Sequence, residues 1–214
     1  MEAENQLIFN KFTKENWQIF SQIKQSDKSA NSQFKMDKLE HKKYPIGKFQ
    51  QPEKVTDLDI DKHIKIIKDF PGKLKNLVEN LTDDQLDVQY REGGWKIRQL
   101  IHHLADSHMN SFIRFKLALT EDNPTIKPYD EAQWAELQDS FSMDIKSSLQ
   151  ILKGLHKRWV YEMKSLTNKE FEHTFFHPEQ NKNISLKKSL AFYSWHCDHH
   201  FAHLENIIKE QDWV

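Results

Sequence analysis

Four histidines lie within nine residues near the C-terminal end of the sequence, at His196, His199, His200 and His203. A neutral imidazole is a common metal ligand, and two histidines four residues apart on a helix project from one face, where both can bind the same ion. The segment therefore holds two candidate pairs, His196 with His200 and His199 with His203. Since the faces of the two pairs differ by about 60°, we expect only one pair to point inward.

The apolar residues around the cluster favour the first pair. On an ideal helix they form one stripe, with His196 and His200 at its edge and His199 and His203 pointing further away. This stripe consists of Leu190, Cys197, Phe201, Leu204 and Ile208. We therefore predict that His196 and His200 bind metal, while a solvated histidine-rich face is the alternative interpretation.

A catalytic zinc-type site uses three protein ligands and keeps one position open for water. An earlier predicted helix offers the third ligand from His102, His103 or His108. The apolar stripe of that helix is centred near Ile101 and includes His108, whereas His103 falls well away from it. Periodicity alone therefore favours His108.

Hydrophobic spacing predicts four long amphipathic helices to position these groups, over about residues 57–81, 95–120, 143–166 and 185–211. Pro71 is expected to bend or briefly break the first helix, and Ser185 to cap the fourth. Short helical turns are predicted after Thr82 and Thr167, which have capping-box spacing, and around residues 131–137. Residues 174–184 are predicted to be a loop or a small extended segment.

No strand alternation is persuasive, so the fold class predicted is all-α, a four-helix bundle with short extra helices in the connections. The chain has 214 residues, 37% hydrophobic and 29% charged, with a mean hydropathy of −0.81. That composition suits one globular domain with a polar surface. We expect an N-terminal extension over residues 1–43, partly helical or flexible, followed by the bundle over residues 44–214.

Charge, hydropathy and cysteine content indicate which partners and which compartment to expect. The net charge is −1 and charges of both signs are interspersed, so no nucleic-acid surface is predicted. The sequence contains no apolar run of 18 residues, so no membrane span is predicted. The single cysteine, Cys197, excludes an internal disulfide and indicates a reducing compartment, for which the cytoplasm is the default.

Several short motifs together resemble the YfiT branch of the DinB-like superfamily, over about residues 44–213. They are Tyr44-Pro45-Ile46-Gly47, Gly93-Gly94-Trp95, Arg98-Gln99, the histidine-containing stretch 102–110, Lys127-Pro128-Tyr129-Asp130, and Trp195-His196-x-x-His199-His200-x-x-His203. The resemblance implies a metal-binding four-helix bundle, often a homodimer, whose members have been named metal-dependent hydrolases. Related members are transferases or isomerases that use low-molecular-weight thiols.

The resemblance also implies a ligand set, with one histidine from helix two and a pair from helix four. Carried over to this sequence, the ligands are His103, His196 and His200. The family pattern therefore agrees with the stripe on helix four and disagrees with it on helix two. His108 would then be a buried, hydrogen-bonded core residue.

The function predicted is a three-histidine enzyme in which one divalent ion, zinc or nickel, activates water to hydrolyse a small-molecule substrate. Two alternatives are a transferase whose ion binds a low-molecular-weight thiol as co-substrate, and a non-enzymatic bundle with a structural metal. Asp106 and Glu205 are the candidates for orienting the ligand imidazoles, although either is also explained as a solvated helix charge. No general acid or base is assigned.

Overall fold

A computed structural model describes residues 40–213 of the chain. Nearly all of the predicted N-terminal extension lies outside these residues. A compact unit begins at Pro45 and contains every element discussed below. Within residues 40–213, no helix combines the length and the apolar character needed to cross a membrane.

Four long helices form the bundle, and the connections carry shorter elements. The long helices are α1 (Asp57–Val78), α3 (Ile97–Thr120), α6 (Lys146–Ser165) and α7 (Leu186–Glu210). Between them lie α2 (Asp83–Leu86), α4 (Glu131–Ala135), α5 (Gln138–Ser142), a 3₁₀ turn (Glu170–Glu172) and two strands, β1 (Thr174–His177) and β2 (Lys182–Ser185). The predicted all-α fold class and the four long helices are confirmed.

The long helices do not pack in the order in which they occur along the chain. Helix α1 packs against α6 and α7, and α3 packs against the same two helices. The first and second long helices, α1 and α3, therefore lie at opposite corners of the bundle, and so do the third and fourth, α6 and α7. The centre is surrounded by side chains from all four helices.

Local sequence explains where α1 begins and why it continues past its proline. The Thr56 hydroxyl accepts the Asp59 N–H, and the Asp59 carboxylate accepts the Thr56 N–H at 2.9 Å, which forms a capping box. Pro71 lies inside α1, so the helix is not broken there. A proline has no N–H for the carbonyl four residues earlier, but that carbonyl, on Ile67, instead accepts a hydrogen bond from Nδ1 of His156 at 2.6 Å.

The short helices cover the outer side of α3. Helices α4 and α5 both pack against it, and Gln99 of α3 donates a 2.8 Å hydrogen bond from Nε2 to the carbonyl oxygen of Ala135. The capping boxes predicted at Thr82 and Thr167 are confirmed. As a result, the first half of α3 is covered by protein on all sides.

The segment predicted as a loop or small extended stretch is an antiparallel hairpin. Its two strands pair Thr174 with Ser185 at one end and His177 with Lys182 at the other. Helix α7 begins immediately after the second strand. Ser185 occupies the predicted N-cap position, but its hydroxyl makes no capping hydrogen bond, so that part of the prediction was wrong.

Candidate metal centre

Three imidazoles from two helices meet near the centre of the bundle. The ring centroid of His103, on α3, lies 5.5 Å from that of His196 and 5.3 Å from that of His200, both on α7. The rings of His196 and His200 are 4.4 Å apart. One nitrogen from each of the three residues lies within 4.8 Å of the others. The structure therefore brings together all three histidines that the family resemblance implied.

Secondary structure accounts for this convergence. His196 and His200 are one turn apart on α7, and α3 packs beside α7, so His103 faces them across the interface. A turn precedes α3 and lies beside the three imidazoles. Gly93 adopts a positive φ of 66° in this turn, a conformation that glycine allows. Trp95 follows that turn, and its ring lies 4.9 Å from the ring of His103.

Burial keeps the three rings neutral. Loss of solvent lowers the pKa of His103 to about 4, and it lowers the pKa values of His196 and His200 well below the ordinary range, with repulsion between neighbouring histidines adding to the effect. All three can therefore offer a lone pair at neutral pH. Nδ1 of His200 is buried and has no hydrogen-bond partner among the described residues.

This donor set fits a divalent metal ion. Metal–nitrogen bonds in zinc sites measure about 2.0–2.1 Å, so nitrogens on one ion are at most about 4 Å apart. The 4.8 Å within which the three nitrogens lie is close to that limit. Three neutral imidazoles suit zinc or nickel. His103, His196 and His200 would hold the ion, which leaves coordination positions for water or substrate.

The second histidine pair corrects one expectation. His199 and His203 are also buried, so the prediction that only one pair points inward was wrong. Tyr90, which precedes α3, packs on that side of α7, with its ring 4.5 Å from that of His203. Within α7, His199 stacks on Trp195. Nε2 of His199 is 3.2 Å from Nε2 of His203. A helix covered on two sides has no single buried stripe.

The other histidines of α3 have structural partners. His102 contacts the Ser148 hydroxyl at 2.8 Å and the carbonyl oxygen of Met143 at 3.1 Å. His108, which periodicity alone favoured, is fully buried and hydrogen-bonded through both ring nitrogens, as the resemblance implied, and it is not one of the three histidines whose nitrogens lie within 4.8 Å of one another. One of its partners is His156 of α6, which the sequence analysis missed. Its position four residues after Leu152, on the apolar stripe of that helix, was the available signal.

The two carboxylates proposed to orient the ligands lie elsewhere. Glu205 pairs with Lys209 at 3.2 Å on the surface of α7. Asp106 is half-buried, which raises its pKa to about 6, and its carboxylate makes no hydrogen bond to the three imidazoles within residues 40–213.

Cys197 is fully buried, and burial raises the pKa of its thiol well above the ordinary value, as expected for an inert core residue.

The three imidazoles line a cavity of about 770 Å³. Its wall is mixed in character, with aromatic rings and charged groups of both signs. The aromatic side chains include Tyr90, Trp95, Tyr129, Phe192, Tyr193 and Trp195, and the charged ones include Arg91, Arg114, Asp130, Glu131 and Glu179. A cavity of this size accommodates a small polar molecule beside the histidines.

Fold and site together define a helical bundle with a buried three-histidine cluster that opens on a cavity. The chain belongs to the DinB superfamily, whose pattern matches residues 67–204. It is 50% identical over 173 residues to a protein of Oceanobacillus iheyensis, covering 81% of this chain and 99% of the relative. It is 47% identical over 170 residues to YfiT of Bacillus subtilis, covering 79% and 96%. Both relatives are provisionally named metal-dependent hydrolases.

Solved structures agree with the family assignment. The structure of YfiT from Bacillus subtilis, described as a four-helix bundle of unusual topology, superimposes with a TM-score of 0.79 at 46% identity and covers 81% of this chain and 99% of that one. A mycothiol-dependent maleylpyruvate isomerase superimposes with a TM-score of 0.52 at 13% identity, over 67% and 61% of the two chains. At that identity the second likeness concerns the fold alone.

Proposed function

We propose that the protein is a metal-dependent hydrolase of a small polar substrate, with His103, His196 and His200 as the metal ligands. The observation that carries the proposal is the convergence of three neutral, buried imidazoles on the wall of a 770 Å³ cavity. A purely structural metal site has closed coordination, usually with four protein ligands. A three-ligand group beside a cavity is the arrangement of a catalytic site instead.

An ion held by these ligands would supply Lewis acidity, which polarises a carbonyl or ester oxygen and acidifies water. The chain contributes the rest of the site. The three imidazoles would hold the ion at the wall of the cavity, and the ring of Trp95 packs beside that of His103. Arg91 and Glu131 give the cavity both a cationic and an anionic group to bind and orient a polar substrate.

The test begins with protein purified without a polyhistidine tag. We expect about one divalent ion per chain by elemental analysis. The double variant His196→Ala/His200→Ala should retain less than about a tenth of that metal, because one imidazole cannot hold the ion alone. His173→Gln is the control, since His173 bonds to the carbonyl oxygen of Ala118, and it should keep full occupancy. Wild-type protein without bound metal would overturn the proposal.

Activity assays then separate the three chemistries. Metal-dependent cleavage of activated esters that is lost in the double variant supports the hydrolase. Metal-dependent conjugation of a low-molecular-weight thiol to an electrophile, without ester cleavage, would replace it by the transferase. Bound metal with neither activity would favour a structural role. The homodimer and the cytoplasmic location stay predictions.

A further inference from the structure

A continuous line of hydrogen bonds runs through the core and takes one group from each long helix. Nδ1 of His196, on α7, lies 3.1 Å from Nε2 of His108, on α3. Nδ1 of His108 lies 2.7 Å from Nε2 of His156, on α6. Nδ1 of His156 lies 2.6 Å from the carbonyl oxygen of Ile67, on α1. The diagonal packing of the helices makes this line possible, because all four meet at the centre.

Pro71 explains why the carbonyl at the end of the line is available. In an uninterrupted helix, the oxygen of Ile67 would accept the N–H of the residue four positions later, which here is Pro71. Proline has no N–H, so the buried oxygen needs another donor. His156 supplies it from the neighbouring helix.

The carbonyl also fixes the direction of every bond in the line. An oxygen of this kind only accepts, so Nδ1 of His156 carries a proton and donates it. His108 and His156 are buried, and their ring nitrogens bond to imidazoles and to one carbonyl oxygen, with no carboxylate among these partners to offset a positive charge, so each ring is neutral and has one proton. Nε2 of His156 must then accept from Nδ1 of His108, and Nε2 of His108 must accept from Nδ1 of His196.

Packing holds the rings in place as well. The rings of His108 and His156 are inclined by only 12°, with centroids 4.9 Å apart. Phe70 stacks against both, at 5.7 Å and 5.8 Å. Trp159 meets both edge to face. With exposures of 0% and 1%, the two rings have little room to turn.

We propose that His108 and His156 are positioning residues that hold the imidazole of His196 in one orientation and one tautomer, with the proton on Nδ1 and the lone pair of Nε2 available to the cavity. Metal-bound histidines usually donate their second N–H to a carboxylate or a carbonyl, which fixes the ring. Here two further imidazoles, on α3 and α6, connect the ring to a backbone carbonyl oxygen on the fourth helix, α1. The role of His196 as a ligand rests on the proposed function, whereas its tautomer is a property of the metal-free chain.

Nuclear magnetic resonance tests the tautomers directly. Long-range ¹H–¹⁵N correlation spectra of metal-free protein labelled in its histidine rings distinguish Nδ1–H from Nε2–H for each residue. We expect Nδ1–H for His156, His108 and His196. An Nε2–H tautomer of His196, or exchange between its two tautomers in the folded protein, would overturn the proposal.

Two substitutions of His108 separate positioning from mere space filling. The amide of glutamine offers a donor and an acceptor near the ring nitrogens it replaces, whereas leucine offers neither. His108→Leu should weaken zinc binding about 10–100-fold in competition with a chelator, and His108→Gln should restore it to within a few-fold. Equal affinities in the leucine, glutamine and wild-type proteins would overturn the proposal.

His102→Leu is the matched control, because His102 is a buried, hydrogen-bonded histidine on the same helix without a contact to His196 among the described residues. Its zinc affinity should stay at the wild-type value. If His108→Leu does not fold, His156→Leu cuts the line one step further from the ligand and should also weaken binding. If the wild-type protein binds no zinc but shows Nδ1–H at His196, the proposed function is rejected and the proposed positioning role is supported. Zinc binding with Nε2–H at His196 in the metal-free protein would remove the positioning alone.

Discussion

Nη2 of Arg98 lies 2.7 Å from Oδ1 of Asp83, so an arginine that is only 4% exposed binds a carboxylate on the short helix α2. The same side chain donates from Nε to Asp87 at 3.1 Å and from Nη1 to the carbonyl oxygen of Met143 at 2.9 Å. Arg98 thus ties two other segments to the first turn of α3, the helix that carries His103.

Replacing Arg98 by lysine is expected to lower the free energy of unfolding by about 2 kcal/mol. Lysine keeps the charge but has no planar fork, so it does not serve all three acceptors at once. Urea unfolding of metal-free protein measures the loss. Arg158→Lys is the control, because Arg158 is exposed and stands over the Phe112 ring, and it should change stability by less than about 0.5 kcal/mol. Similar losses of stability in both variants would argue against a specific contribution of the Arg98 hydrogen bonds.

Stability of the metal-free protein is expected to fall as the pH drops from about 6.5 to 4. Burial lowers the pKa of His156 from 6.5 to about 4, so in this interval the unfolded chain binds a proton that the folded chain does not. Protonation therefore favours unfolding, and the stability present above pH 6.5 is lost at up to about 1.4 kcal/mol per pH unit for each such histidine. Circular dichroism melts at closely spaced pH values give the slope of the free energy of unfolding against pH. His156→Gln should reduce the number of protons taken up on unfolding by about one. An unchanged slope would mean that His156 is not neutral in the folded state.

Added zinc or nickel is expected to raise the unfolding temperature of the metal-free protein. An ion that binds only the folded state adds about 2.7 kcal/mol at 100 times its Kd. His103→Ala should remove most of this effect, because it deletes the proposed ligand on α3 and leaves the two proposed ligands on α7. Differential scanning fluorimetry measures the shift, with His102→Gln as the control that retains it. A full shift in His103→Ala would exclude His103 from the ligand set.

Gly94→Ala is expected to disturb the cavity beside the histidines. A Cβ at this position would lie 2.8 Å from Cγ of Arg91 and 3.2 Å from Cζ of Tyr90, and both side chains line the cavity. If the proposed hydrolysis occurs in this cavity, their displacement should raise KM several-fold, with a smaller effect on kcat. Steady-state kinetics with an activated ester measures this. An unaltered KM would show that neither side chain contributes to binding.

A substitution at a second glycine, Gly154, is expected to stabilise the protein without disturbing the cavity. Gly154 is exposed within α6, and a Cβ there would meet nothing within 4 Å. Gly154→Ala should therefore raise the free energy of unfolding by about 0.5–1 kcal/mol, because it restricts the unfolded chain, and should leave KM unchanged. Urea unfolding measures the gain, and a loss of stability would contradict the open environment at this position.

The long helices could be predicted because their causes are local. A stripe of apolar residues at helical spacing and a capping box at Thr56 act within a few turns of chain. The hairpin was not predicted as strands, since its four-residue strands are too short for alternation to be recognised and depend on pairing with each other. Pro71 was expected to disturb α1, but a donor from another helix compensates for its missing N–H.

For the site, the sequence by itself determined which side chains are capable of the chemistry, and it placed His196 and His200 on one helix face. Only the tertiary structure decided that His103 lies beside this pair and that His108 and His156 form a line of hydrogen bonds to His196. Periodicity assumes a helix with one buried face. Here α3 is covered by the bundle and by the short helices, and α7 by the bundle and by Tyr90. The meeting of imidazoles from helices at different corners of the bundle is a property of packing, which no spacing along one chain segment contains.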